Sequence, residues 1–225
     1  MEEHIFIING RKATLLKAKK ENCPLIILNN FSGDNAPIVK AMHRVRTPDC
    51  HLLVIGNLLW DHDMTPWFCP PIAEGDTPCT GGADDYLELL LTDILPKAKD
   101  MIMGEPAFTG IAGYSLAGLF ALYCLYKCDS FDRAASMSGS LWFPDFKKYV
   151  KEHDFQKSPD RLYLSLGEKE ALTNNPYLKT VRDNTEEITE HYQRLGIDVS
   201  LEMNPGNHYT DAELRSAKGI KALLE

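Results

Sequence analysis

Short, continuous apolar runs alternate with helix-length segments along most of the chain. PLIILNN (24–30) and HLLVIG (51–56) are two such runs, and their pattern is that of strands buried on both faces of a sheet. Strands that alternate with helices are typical of βαβ units around a parallel sheet. The sequence therefore predicts an α/β fold with a mostly parallel central sheet and helices on both of its faces.

The N-terminal segment follows a different pattern. HIFII and ATLLK are apolar stretches separated only by NGRK. Asn9-Gly10 suits the tight turn of a two-stranded antiparallel hairpin, because both residues tolerate a positive φ. We therefore expect an N-terminal antiparallel hairpin beside the parallel strands.

Charge and hydropathy exclude two classes of partner. The 225 residues carry a formal net charge of -8 and no basic stripe, which argues against a nucleic-acid partner. No apolar run reaches the roughly 18 residues that a membrane span requires, and the first residues lack the pattern of a secretory signal. We expect one domain over residues 1–225 in the cytoplasm, and the sequence leaves a homodimer open.

The six cysteines show no CxxC spacing. A chain of this size does not need disulfides to hold its fold. We expect free, mostly buried thiols. A bridge between Cys69 and Cys79 across a loop is the alternative, and a reducing compartment disfavours it.

The stretch GYSLAG lies at the junction of a predicted strand and a predicted helix. A nucleophile elbow holds its serine on a strained strand-to-helix turn, where the residues two positions away must be small. Gly113 and Ala117 meet this requirement around Ser115, although the usual G-x-S-x-G pattern ends in glycine. The motif favours Ser115 as a nucleophile and the Leu116 N–H as an oxyanion donor. The alternative is an ordinary glycine-flanked turn.

A serine nucleophile needs a base and an orienting acid, and with an elbow both follow the serine along the chain. His208 lies in the loop after the last predicted strand, whereas His153 and His191 belong to helical patterns. We predict His208 as the base. Glu168 and Glu170 follow another strand; Glu170 is preferred because it lies farther beyond the strand end, and both could equally be surface carboxylates.

Two further predictions concern loops that follow predicted strands, at the carboxyl edge of the sheet. The segment NNFSGD follows the PLIIL strand, and we expect it to supply a second oxyanion donor, preferably the Phe31 N–H with Ser32 as its neighbour. One such donor stabilises the transition state by about 2.7–4 kcal/mol. A glycine-bearing turn can equally be structural. Thr210 and Glu213 predict a capping box at the start of the last helix.

The alternation of strands and helices stops from about Asn57 to Gly82, in a segment rich in proline, tryptophan and acidic residues. Long irregular segments are usually functional or disordered. This one follows the HLLVIG strand, and loops at the carboxyl ends of parallel strands build ligand crevices. Core packing is the competing role for each aromatic residue. The candidate substrate-binding residues are Trp60, Trp67, Phe68, Trp142 and Tyr114.

Asp61, His62 and Asp63 are three adjacent residues of types that bind metals. Three neighbours in sequence do not easily converge on one ion, so a solvated loop is the preferred interpretation. We expect neither a metal nor a cofactor.

Six stretches of the chain carry a resemblance to a known family: ILNNF, TGGADDYLELL, GYSLAGLFALY, SGSLWF, LGEKE and GNHYTD. Together they resemble the "Putative esterase" family of the α/β-hydrolase superfamily, which includes S-formylglutathione hydrolase (esterase D), siderophore trilactone esterases and feruloyl esterases. The resemblance spans nearly the whole chain. It implies an α/β-hydrolase fold, Ser115 as nucleophile, His208 as base, and an acid in GEKE, where the family's G-x-x-[DE] pattern favours Glu170. The chain departs from the family in two respects: Ala117 replaces the final glycine of G-x-S-x-G, and the chain is too short for a large cap domain.

The leading hypothesis is thus a serine esterase that forms an acyl-enzyme on a small ester substrate. An acyltransferase with the same three residues is an alternative, because an alcohol or sugar can replace water as the acceptor. A hydrolase-like binding protein without turnover is the third hypothesis. The sequence does not distinguish aryl, short acyl and siderophore-like esters.

Overall fold

The computed structural model describes residues 2–225. Its ten strands form an eight-stranded sheet and a separate two-stranded ribbon. In chain order they are β1 (Glu2–Ile8), β2 (Arg11–Lys17), β3 (Leu25–Asn29), β4 (His51–Gly56), β5 (Phe68–Cys69), β6 (Cys79–Thr80), β7 (Thr109–Tyr114), β8 (Arg133–Met137), β9 (Arg161–Gly167) and β10 (Val199–Asn204).

The large sheet has the order β1-β2-β4-β3-β7-β8-β9-β10. The six strands from β4 to β10 in this order run parallel, while β1 pairs with β2, and β2 with β4, in antiparallel fashion. Asn9 and Gly10 form the hairpin turn with φ values of 48° and 81°, as a turn with two positive φ values requires. The predicted mixed sheet and N-terminal hairpin are confirmed.

Eight α-helices within residues 2–225 surround the sheet. A π-helical turn (Leu90–Ile94) joins α3 (Ala83–Leu89) to α4 (Leu95–Lys99), so the three pieces form one continuous helical segment with a local widening. A 3₁₀ turn (Leu178–Thr180) leads into α7 (Val181–Arg194). The helices are α1 (Ala36–Val45), α2 (Trp60–Asp63), α3 (Ala83–Leu89), α4 (Leu95–Lys99), α5 (Leu116–Lys127), α6 (Phe146–Glu152), α7 (Val181–Arg194) and α8 (Ala212–Leu224).

Apolar clusters cover both faces of the sheet. Strand β3 shows why: Ile27 packs in the cluster that contains α5, whereas its neighbour Ile26 packs in the cluster that contains α1 and α8. Successive side chains of a strand point to opposite faces, so a strand covered on both sides must be apolar throughout. This arrangement places the carboxyl ends of the parallel strands at one open edge of the molecule.

The segment from residue 57 to 82 is more regular than the sequence suggested. It contains α2 and the β5–β6 ribbon, in which Cys69 lies directly opposite Cys79. Arg11 of the hairpin binds Asp63 with Nη2 to Oδ1 at 2.7 Å and Nε to Oδ2 at 3.0 Å, and Asp63 also accepts the Leu59 N–H. This pair ties the start of the segment to the sheet. All six cysteines are free thiols, as expected.

The predicted capping box at the last helix is wrong. Asp211 is the N-cap of α8; its φ of 52° is left-handed, and its side chain makes no capping hydrogen bond. Thr210 Oγ1 instead accepts the Asn207 N–H at 3.1 Å. The threonine therefore stabilises the loop that carries His208 rather than the helix end.

Within residues 2–225, no helix combines the length and the apolar character that are needed to cross a membrane.

Candidate active site

Ser115 occupies the sharp turn between β7 and α5. Its φ of 60° and ψ of -125° are strained for a residue with a side chain. A Cβ at Gly113 would lie 2.2 Å from the Ala117 carbonyl oxygen and 2.6 Å from the Ala117 Cβ. Glycine is therefore required at 113, and its missing side chain makes room for alanine at 117. This explains how the elbow forms without the usual final glycine.

Three side chains from separate loops meet at the edge of the sheet. His208 Nε2 lies 3.0 Å from Ser115 Oγ, and His208 Nδ1 lies 2.8 Å from Glu170 Oε2. Ser115 follows β7, Glu170 follows β9, and His208 follows β10. The Glu168 side chain is exposed to solvent. Of the two predicted carboxylates, the structure brings Glu170 to the histidine.

Glu170 is almost completely buried, with a side-chain exposure of 4%. Its Oε1 accepts the Gly167 N–H at 2.6 Å, the Ser138 hydroxyl at 2.7 Å and Arg215 Nη1 at 3.0 Å. Burial acts to raise the pKa of Glu170, but the hydrogen bond and charge of His208 and the hydrogen bonds from Ser138 and Gly167 outweigh it, so the pKa lies below its ordinary value. The carboxyl group is therefore ionised at neutral pH.

Sequence reasoning missed Arg215, whose side chain is 1% exposed. Besides Glu170, its Nη1 contacts Ser138 Oγ at 3.0 Å and the Tyr114 hydroxyl at 3.3 Å, and its Nη2 donates to the Pro205 carbonyl at 2.8 Å. A signal was present in the sequence. Arg215 lies four residues before Gly219 on the buried side of α8, where a charged residue needs a partner.

The two predicted oxyanion donors belong to the start of α5 and to the loop after β3. Leu116 is the first residue of α5, and the first amides of a helix have no acceptor within it. Phe31 follows β3. Its neighbour Ser32 donates its N–H to Asn30 Oδ1 at 3.2 Å, which leaves Phe31 as the better candidate. Ser140 Oγ lies 3.4 Å from Ser115 Oγ.

Two cavities meet at the serine and the histidine. The larger has a volume of about 610 Å³ and is lined in part by Trp60, Trp142 and Lys169. The smaller has a volume of about 350 Å³ and is lined in part by Phe31, Tyr114 and Tyr209, together with Trp60. Ser115 and His208 line both. A substrate whose carbonyl carbon lies at Ser115 can therefore place one group in each cavity.

The other aromatic residues predicted to bind substrate also have structural contacts or lie outside the two cavities. Trp67 donates its indole N–H to the Pro144 carbonyl at 3.0 Å and packs against Phe143 and Tyr149. For Trp67 the structure therefore favours core packing, the competing role considered for each aromatic residue. Phe68 is exposed in the β5–β6 ribbon. The Tyr114 hydroxyl donates to the His208 carbonyl at 2.7 Å, so this residue supports the histidine loop as well as lining a cavity.

The family model described as "Putative esterase" matches residues 61–211, which is more than half of the chain. The matched range includes Ser115, Glu170 and His208. The chain therefore belongs to this esterase family, and the prediction of an esterase is confirmed. No curated protein matches the sequence.

Solved structures agree with this fold. An IroE-like serine hydrolase from Shewanella oneidensis aligns with a TM-score of 0.80 at 16% identity, covering 98% of this chain and 78% of the other. Siderophore hydrolase EstA from Aspergillus nidulans aligns with a TM-score of 0.75 at 18% identity, covering 97% and 92%. The enterobactin esterase FES from Shigella flexneri aligns with a TM-score of 0.69 at 18% identity, covering 99% of this chain and 58% of the esterase. The α/β-hydrolase fold is thus confirmed.

Proposed function

We propose that the chain is a serine carboxylic ester hydrolase with Ser115 as nucleophile, His208 as general base and Glu170 as orienting acid. The observation that carries this proposal is the continuous hydrogen-bonded line from Ser115 Oγ through the imidazole to Glu170, with distances of 3.0 and 2.8 Å. A serine hydroxyl is a weak nucleophile at neutral pH, and an adjacent base in this geometry activates it.

The first half of the reaction forms an acyl-enzyme. Ser115 Oγ attacks the ester carbonyl carbon while His208 Nε2 takes the hydroxyl proton. The carbonyl π electrons move to the oxygen, and the Leu116 and Phe31 N–H groups bind the resulting oxyanion. The tetrahedral intermediate collapses, the bond to the alcohol oxygen breaks, and His208 gives that oxygen its proton.

The second half repeats these steps with water. His208 Nε2 takes a proton from water as the water oxygen attacks the acyl carbon. Collapse breaks the bond to Ser115 Oγ, which recovers the proton from His208, and the carboxylic acid leaves. Glu170 remains ionised throughout and accepts the His208 Nδ1–H, which fixes the tautomer that has its lone pair on Nε2.

The two cavities support an ester with a sizeable group on each side of its carbonyl. Trp60 and Trp142 in the larger cavity, and Tyr114 in the smaller one, offer apolar contact to rings or acyl chains. Several structural neighbours are described as siderophore hydrolases or an enterobactin esterase. Siderophore esters therefore come first in a substrate panel, followed by aryl and short acyl esters.

A cytoplasmic location is part of the same proposal. Cys69 and Cys79 face each other in the ribbon and are unbridged, which a reducing compartment favours. The single domain over residues 1–225 also stays a prediction, which limited proteolysis tests. Sedimentation equilibrium decides whether the chain forms the homodimer that the sequence leaves open.

Trapping of the acyl-enzyme tests the mechanism. The protein is mixed with a 4-nitrophenyl ester, quenched in acid within the burst phase, and examined by intact mass and peptide mapping. We expect an acyl adduct on Ser115 that disappears in Ser115→Ala. Ser140→Ala is the matched control, because its hydroxyl lies 3.4 Å away, and it should retain the adduct. An adduct on another residue, or undiminished turnover by Ser115→Ala, contradicts the proposal.

A further inference from the structure

The side chains that contact Glu170 include a buried cation, Arg215, which takes no part in the reaction steps proposed above. Removing a guanidinium group from water is costly unless it is paired and hydrogen-bonded. Arg215 meets this requirement with the Glu170 carboxylate, two hydroxyl groups and one carbonyl. Each of these partners touches the proposed triad or lies in the loop that carries His208.

We propose that Arg215 is a positioning residue for the ester-hydrolysis site, a role that rests on the proposed function. The guanidinium binds Glu170 Oε1 at 3.0 Å, which turns Oε2 toward His208 Nδ1 at 2.8 Å. A carboxylate held on one oxygen by three donors has little freedom to rotate. The tautomer and the orientation of the imidazole are thereby set before a substrate arrives.

Arg215 also acts on the backbone that presents the histidine. Its Nη2 binds the Pro205 carbonyl, three residues before His208, at 2.8 Å. Its Nη1 contacts the Tyr114 hydroxyl, which donates to the His208 carbonyl. One side chain therefore joins the acid to the start and to the tip of the β10–α8 loop.

The charge of Arg215 has a consequence that pH can reveal. A cation next to Glu170 opposes the uptake of a proton by the Glu170–His208 pair, and catalysis fails when that pair gains a proton. Removing this charge should therefore move the acidic limb of kcat/KM to higher pH. The other titratable groups around the site include Tyr114 from β7, Tyr163 from β9, Glu202 from β10, Lys169 beside Glu170, Tyr209 beside His208, and Glu213 and Lys218 from α8. Of these, Glu202 is already paired with Lys218 and with the Tyr163 hydroxyl.

The competing explanation is that Arg215 only fastens α8 to the sheet. A second ion pair with a buried carboxylate provides the matched control. Arg11, whose side chain is 15% exposed, binds Asp63 of α2, whose side chain is 1% exposed, and neither residue contacts Glu170 or His208. Loss of Arg11 should lower stability without changing the protonation of the Glu170–His208 pair.

The experiment measures kcat, KM and the pH dependence of kcat/KM for Arg215→Met, Arg215→Lys and Arg11→Met, with thermal unfolding of each. We expect Arg215→Met to lower kcat by about 10- to 100-fold, the loss of one charged hydrogen bond, with a smaller change in KM. Its acidic limb should move up by about one pH unit. Arg215→Lys should return the acidic limb of kcat/KM to its wild-type pH and recover part of kcat. Arg11→Met should leave the pH of this limb unchanged.

A double variant keeps the proposal testable if Arg215→Met does not fold. Glu170→Gln/Arg215→Met lacks both charges, and its kcat should lie within about tenfold of Glu170→Gln alone, because the ion pair with Glu170 is already lost and only the contacts of Arg215 with Pro205 and the Tyr114 hydroxyl remain. A further large loss overturns the proposal, as does an Arg215→Met limb at the wild-type pH. Activity in Ser115→Ala would instead refute the serine mechanism itself.

Discussion

The reactive centre and the rim of the cleft are built in opposite ways. The Glu170 side chain is 4% exposed and hydrogen-bonded at both oxygens, whereas Phe31 and Tyr209 at the rim are 72% and 87% exposed as whole residues. Phe31 makes an edge contact with Trp60 at 5.1 Å between ring centroids. The chemical groups are thus fixed in advance, while the contact surface for substrate is left open to solvent.

This difference separates rate from selectivity. Fixed donors and acceptors need no rearrangement when charge develops in the transition state, and strained backbone at Ser115 and Ser138, with φ values of 60° and 45°, is maintained by the packed surroundings. Exposed aromatic rings gain contact area only when a ligand covers them. We therefore expect substitutions in the centre to act on kcat and substitutions at the rim to act on KM.

The largest effect expected here comes from Glu170→Gln. The amide cannot hold the imidazolium that forms during the reaction, so kcat should fall about 10³- to 10⁴-fold. Glu168→Gln is the matched control, two residues away and exposed, and it should change kcat less than twofold. Steady-state kinetics on one 4-nitrophenyl ester decide the assignment; equal losses in both variants would contradict it.

The same pair of variants predicts a stability difference that depends on pH. The pKa of Glu170 is lowered in the folded protein from its ordinary value near 4.5, so the ionised group stabilises the fold above that value and loses this effect as pH falls through the lowered one. At pH 7, Glu170→Gln should lower the free energy of unfolding by about 3–5 kcal/mol, because it leaves Arg215 buried without its charge partner. Urea unfolding should show this gap narrowing below pH 4.5, with Glu168→Gln close to wild type throughout.

The smallest effects are expected at the rim. Phe31→Ala and Tyr209→Ala each remove an exposed ring beside the smaller cavity, and KM for aryl esters should rise roughly 3- to 20-fold while kcat changes little. Phe68→Ala is the control, since its ring is exposed in the ribbon. A rim variant that lowers kcat as strongly as Glu170→Gln would remove the distinction between centre and rim.

The strand and the turn that form the site could be predicted from the sequence, whereas the contacts that hold Glu170 and the His208 loop in place could not. The apolar run of β3 and the small residues around Ser115 are local signals, because burial and elbow geometry act on neighbouring positions. Arg215 was missed since its partners lie on β7, after β8 and after β9, and no local pattern joins them. The prediction of the capping box was wrong for a related reason. Thr210 Oγ1 accepts the Asn207 N–H within the loop, and the conformation of that loop is not encoded in the pattern of the following helix.

The residues from 57 to 82 show the same limit. Their composition indicated a ligand loop but gave no sign of the β5–β6 ribbon or of the Arg11–Asp63 pair, whose residues are 52 positions apart. Trp60 reaches both cavities and Trp67 packs away from them, although both are tryptophans of the same segment. Only the folded backbone distinguishes their directions.

Active-site labelling with a fluorophosphonate shows whether Ser115 is a nucleophile activated by His208. We expect one covalent adduct per chain, mapped by peptide mass to Ser115, formed in step with the loss of esterase activity and slowed at least about 10³-fold in His208→Ala. Ser140→Ala should label at the wild-type rate. A folded wild-type protein that hydrolyses esters but takes up no label at Ser115, or takes it up equally fast without His208, would contradict this expectation.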